Sequence, residues 1–134
     1  MFEQVESHEC DVVIGSRFLS EGGYRIGALK SAGISLLRTI VRLFCGEKIT
    51  DPTSGYQCLS RKVFQVLTED SFPSDYPDAN IIIMYQKRGF SMKEIPVVMF
   101  PNPEGRSMHQ GIFTVMYYFF KIFLSTFITL IKGK

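Results

Sequence analysis

Apolar and polar positions alternate in blocks along this chain, and the blocks predict its elements. The run Asp11-Val12-Val13-Ile14-Gly15-Ser16-Arg17 is apolar, short and closed by a Gly-Ser turn. That pattern predicts a fully buried strand over residues 11–15. Gly22-Gly23 centres a loop over 19–27. Leu29, Gly33, Leu36, Ile40 and Leu43 then recur at helical spacing, with Ser31, Ser35, Arg38 and Arg42 on the opposite stripe. This predicts a helix over 28–45, with Gly46 just past its end. Residues 56–59 read as a short strand and 61–67 as a short helix. Pro77 suits a first helical position and Asp78 the positive end of the helix dipole. Lys87 and Arg88 suit the negative end, and Gly89 closes a helix that opens near Tyr76. Residues 92–100 read as a strand with Pro96 at an edge or a bend, and 101–110 as a loop.

The composition changes at Gly111. From Ile112 to Ile131 nearly every residue is apolar. At about 100° per residue, Thr114, Tyr118, Lys121, Ser125, Thr129 and Lys132 fall on one narrow stripe of a helix. So thin a polar stripe does not suit a water-exposed helix on a small domain. The helix either lies in a membrane interface, spans a bilayer or is buried almost all round. Tyr117 and Tyr118 near one end, and Lys132 and Lys134 at the other, suit interface anchors. The composition favours membrane contact. The expected organisation is a domain over 1–110 and a membrane-associating helix over 111–134.

The 134 residues suit one domain, and hydrophobic residues make up 46%, enough for a core. The acidic first nine residues lack the basic and apolar regions of a signal peptide. A formal net charge of +2, with basic residues scattered along the chain, does not point to nucleic acid. The three cysteines, Cys10, Cys45 and Cys58, show no C-x-x-C spacing. They read as reduced thiols of a cytoplasmic protein. His8 and His109 belong to no cluster with metal-ligand spacing.

Two segments carry candidate chemistry. Arg17 ends the first strand. It reads either as a phosphate clamp, since guanidinium binds phosphate oxygens bidentately, or as a surface Arg paired with a carboxylate. Asp51 lies in Thr50-Asp51-Pro52-Thr53-Ser54-Gly55-Tyr56-Gln57. It is either an ordinary turn former or a carboxylate facing a ligand, which Ser54-Gly55 would let approach the backbone. Arg106 and Ser107 lie in the loop Asn102-Pro103-Glu104-Gly105-Arg106-Ser107, where Arg106 is either a second phosphate contact or a solvated cation.

In this order, these motifs resemble the second half of family 2 glycosyltransferases, the group that includes dolichol-phosphate mannose synthase and its bacterial relatives. The resemblance covers nearly all of residues 10–132. It implies an α/β fold, the C-terminal half of a GT-A-type sheet-and-helix domain followed by a long amphipathic or membrane helix. It implies sugar transfer from a nucleotide sugar to an acceptor, such as a polyprenyl phosphate, on the cytoplasmic side of a membrane. Asp51 would be the catalytic-site carboxylate, orienting groups or balancing charge for a phosphate acceptor and serving as the candidate base for a hydroxyl acceptor. Arg17, Lys30, Ser35, Ser54, Arg106 and Ser107 would bind acceptor or phosphate. The chain departs from the family pattern at three places: Gln57 and Asn102 stand where Arg is usual, and Ser31 stands one turn before Ser35 where lipid-phosphate-using members place Arg.

The resemblance also implies an N-terminal half that holds the nucleotide, encoded upstream or separately. That half would bring an Asp-x-Asp motif holding Mg²⁺ or Mn²⁺ on the diphosphate. The aspartates here, at 11, 51, 70, 75 and 78, form no Asp-x-Asp, so no metal ligand is expected in this chain. A second reading, from another class, is a non-catalytic accessory or vestigial domain that binds a membrane or a partner.

Overall fold

The computed structural model describes residues 1–7, 9–20, 27–46, 48–68, 79–100 and 112–131, without the side chains at 29, 45, 112–115, 118, 119, 126, 129 and 130. Among these residues the fold is α/β, with a mixed three-stranded sheet and five helices. The elements run α1 (Phe2–Glu6), β1 (Val12–Ser16), α2 (Ala28–Cys45), β2 (Gln57–Leu59), α3 (Arg61–Leu67), α4 (Ala79–Lys87), β3 (Met92–Pro96) and α5 (Ile112–Ile131).

β1 is the central strand. It pairs antiparallel with β2, setting Val13 opposite Cys58, and parallel with β3, setting Ile14 opposite Glu94. All five of its residues are buried, as the unbroken apolar run requires of a strand covered on both faces. Val12 and Ile14 enter the main core with Leu37 and Val41 of α2 and Ile81–Ile83 of α4. α1 packs beside β1 and β2, and there the buried Cys10 thiol approaches the Gln4 carbonyl. Burial pushes that thiol's pKa up. Cys10 and Cys58 are free thiols.

β3 ends at Pro96, after one more bond from Val97 N–H to the Ser16 carbonyl. It is thus shorter than the expected 92–100. Asp11 fastens its start, accepting from the Ser91 N–H at 3.1 Å and the Ser91 hydroxyl at 3.0 Å. Desolvation pushes the Asp11 carboxyl up, but the Ser91 bonds and Lys62 outweigh it and hold the pKa below its ordinary value.

α2 has the expected bounds, and Gly46 at φ 70° closes it by donating to the Arg42 carbonyl. Its buried face differs from the expected one. Ile34, Leu37 and Val41 are buried, whereas Leu36 is exposed and Leu43 is 76% exposed. The reason is that Ile34, Leu37 and Val41 form an apolar row of their own at i, i+3 and i+7, and burying that row leaves Leu36 and Leu43 on the far side.

α4 is buried at Ala79 through Ile83 and again at Tyr85, between α2 and α5. Its C-terminus is a Schellman motif. Gly89 sits at φ 75°, its N–H donates to the Gln86 carbonyl, and the Phe90 N–H donates to the Tyr85 carbonyl. The Phe90 and Tyr85 rings complete the motif edge to face at 6.4 Å. The expected start at Pro77-Asp78 lies outside the described residues.

α5 packs on α4. Ile122 is buried in the core, and the Asn80 amide donates to the Ser125 hydroxyl at 2.9 Å. The remaining described side chains of α5, Lys121 apart, are exposed and apolar or Tyr. Among the described residues no helix is long and apolar enough to cross a membrane.

Candidate functional site

The C-terminal ends of the parallel strands β1 and β3 lie side by side, with Gly15 opposite Ile95 and Ser16 opposite Pro96. Ligand sites in α/β sheets form at such carboxyl ends. Here the loop 49–56 folds over them. Its hold on the sheet begins at Glu94, whose carboxylate accepts from the Thr50 N–H at 2.8 Å, the Thr50 hydroxyl at 2.9 Å and the Asp51 N–H at 2.9 Å. Ser54 fixes the other end by donating its hydroxyl to the Gly15 carbonyl at 2.6 Å. The turn between closes with a Ser54 N–H bond to the Asp51 carbonyl.

This places Asp51 under Arg17. Arg17 Nε donates to Oδ2 and Nη2 to Oδ1, both at 2.7 Å, and the Arg17 backbone N–H adds a third bond to Oδ2 at 3.1 Å. Thr53 bridges the pair, accepting from Nη2 at 2.8 Å and donating to Oδ1 at 3.2 Å. The Asp51 side chain is fully buried and that of Arg17 is 20% exposed. Each carboxylate oxygen holds two donors, which fills its ordinary accepting capacity. In this arrangement Asp51 orients Arg17 and balances its charge. Action as a base would require it to release a partner.

Arg38 completes the knot from α2. Its Nε donates to the Thr50 carbonyl, and its guanidinium lies 4.4 Å from the Phe18 ring centroid. Arg17 lies 5.7 Å from the same ring. Two guanidiniums therefore approach one aromatic ring, and Asp51 is the counter-charge of Arg17. Gln57, where the family pattern has Arg, acts as a neutral spacer: its amide donates to the Ser54 carbonyl and its oxygen accepts from the Tyr85 hydroxyl. Burial pushes the Tyr85 pKa up to about 12.

Of the residues singled out in the sequence, the fold brings Arg17, Asp51 and Ser54 together. Lys30 lies in the first turn of α2, and Ser35 is exposed beyond it. The α2 side chain that enters the knot is Arg38. Arg106 and Ser107 lie outside the described residues. Sequence reasoning missed Glu94 and Arg38. Glu94 shares strand parity with Met92, which packs on the core, and a carboxylate on an inward-facing strand position was the available signal. Among the described residues no group of three or more His, Cys, Asp or Glu is placed to hold a metal ion. Asp51 and Glu94 are engaged by N–H and O–H donors, so they do not fit a divalent ion in this arrangement.

Comparison with family models, with curated proteins and with solved structures finds no match to this chain.

Proposed function

We propose that this chain is the acceptor half of a GT-A-type, family 2-like glycosyltransferase. With an N-terminal half supplying the nucleotide site and its Mg²⁺ or Mn²⁺, it would transfer sugar from a nucleotide sugar to an acceptor such as a polyprenyl phosphate. The proposed setting is the cytoplasmic side of a membrane. The observation that carries this reading is the Arg17–Asp51 pair, held by Glu94 and Ser54 at the carboxyl ends of two parallel strands. Asp51 and Thr53 engage Arg17 Nε and Nη2 and fix the plane of the guanidinium, so a phosphate would have to engage it from the Nη1 side. A phosphate acceptor is already ionised at neutral pH, so it needs little from a general base. That is consistent with Asp51 being occupied as a charge partner.

The test supplies the N-terminal half and measures transfer from sugar nucleotides to phosphate and hydroxyl acceptors. Asp51→Asn should lower turnover at least about tenfold, roughly 1.4 kcal/mol of barrier. The chain alone should bind a sugar nucleotide with Mg²⁺ no tighter than about millimolar. Tight, metal-dependent donor binding by the chain alone would overturn the half-site reading.

The second reading, a non-catalytic accessory domain, draws on one observation: every oxygen of the Asp51 carboxylate is already engaged within the chain. No turnover with any upstream half would favour it, whereas normal turnover in Asp51→Asn would only remove Asp51 from the site.

A further inference from the structure

α5 exposes a broad apolar face. A helix on a water-facing domain buries its apolar face and exposes its polar one. Here Ser125, on the polar stripe, is turned against α4 and receives the Asn80 amide. Tyr117, Phe120, Phe123, Leu124, Phe127 and Ile131 face outward, each between 43% and 68% exposed. At about 100° per residue they span an arc of roughly 120° with no charged member. Lys121 lies just beyond the margin of that arc.

Charge points to the occupant. Residues 105–134 contain Arg106, Lys121, Lys132 and Lys134 and no Asp or Glu. An uncharged aromatic face with cations at its border and beyond its end complements an acyl region edged by anionic headgroups. A protein partner of this helix would instead need a matching apolar area rimmed with acidic side chains.

We infer that α5 lies in the plane of an anionic membrane surface, its outer face in the headgroup–acyl boundary and the face that carries Ile122 and Ser125 docked on α4. The contacts at Ile122 and Ser125 fall midway along the helix. A crossing orientation would drag α4 and the sheet behind it into hydrocarbon, where polar groups are costly. In-plane seating leaves them in water. This inference rests on the membrane part of the proposal above and is independent of the sugar chemistry.

The chain has no Trp, so single Trp residues report depth without background. Tyr117→Trp, Leu124→Trp and Ile131→Trp lie on one line of the outer face, seven residues or about 10 Å apart. The full chain is mixed with phosphatidylcholine vesicles, with and without phosphatidylglycerol, carrying bromines at shallow or deep acyl positions. The expected result is equal, shallow quenching at all three positions and stronger binding to the anionic vesicles. Phe120→Glu should weaken that binding at least tenfold with an unchanged urea midpoint, because its side chain is exposed. Unequal depths, with Tyr117→Trp and Leu124→Trp both deep and Ile131→Trp about 10 Å shallower, would mean a crossing helix and would overturn the inference. So would absence of vesicle binding, whether the chain is then monomeric or forms a dimer that Phe120→Glu dissociates. Vesicle binding without sugar transfer, or transfer to a soluble acceptor without vesicle binding, separates this inference from the activity.

Discussion

Arg17 and Asp51 stood out in the sequence as two separate pieces of a ligand site. The fold makes them one unit, because Glu94 pulls the backbone of Thr50 and Asp51 onto β3 and swings the carboxylate under the strand end. Each now depends on the other. Arg17→Ala would strand a fully buried carboxylate after removing two charge-assisted bonds, at a cost of about 3–5 kcal/mol. Arg17→Lys should recover only part of this, since an ammonium cannot reproduce the paired geometry. Urea denaturation of the three proteins measures it. A midpoint unchanged by Arg17→Ala would show that the pair contributes little to folding. The site residues chosen from motifs were legible because strand ends and turns announce themselves. Their partners were not, because Arg38 reads as surface and Glu94 lies 43 positions from Asp51.

Among the elements, α4 shows best how sequence grammar and packing divide the work. Gly89 and the flanking Lys87 and Arg88 signalled its end, and the Schellman bonds realise that signal. Its burial on nearly all sides was not signalled, since it depends on α2 and α5 closing over it. Tyr85 records that burial in its raised pKa. The folded state favours the neutral phenol, so the contribution is fully present below the ordinary value of about 10. It is lost as pH rises from there to about 12, where the folded-state phenol ionises. The two-unit shift corresponds to about 3 kcal/mol. Stability measured from pH 9 to 12 should show this alkaline decline, and Tyr85→Phe should flatten it. An identical decline in both proteins would remove Tyr85 as its cause.

At the scale of the whole molecule, α5 is both a wall of the core and the proposed outer surface. Ile122 fills the core and Ser125 receives Asn80, while the outer arc is exposed. Removing residues 112–134 would therefore do more than detach a membrane anchor. It would bare α4, and loss of the Ile122 side chain alone should cost about 2–5 kcal/mol. The truncated chain should unfold at markedly lower urea, or lack a cooperative transition. An unchanged midpoint would show that α5 is an appendage. Point substitutions on the outer arc separate the two roles where truncation cannot.

The sequence by itself determined most of the elements, although α1 was not among those expected and β3 is shorter than expected. Local apolar runs, helical periodicity and Gly or Pro punctuation are short-range signals, so β1, α2, α3 and α5 fall close to where they were expected. It also pointed to Arg17, Asp51 and Ser54, because turn chemistry is local. The tertiary structure decided which face each helix buries and which side chains meet. Leu36 and Leu43 turned outward because Ile34, Leu37 and Val41 were the row that met the core. Ser125 of α5 turned inward beside the buried Ile122, where it receives the Asn80 amide. Those outcomes depend on contacts between elements far apart in the chain, and the periodicity of one helix does not say which of its faces will meet them.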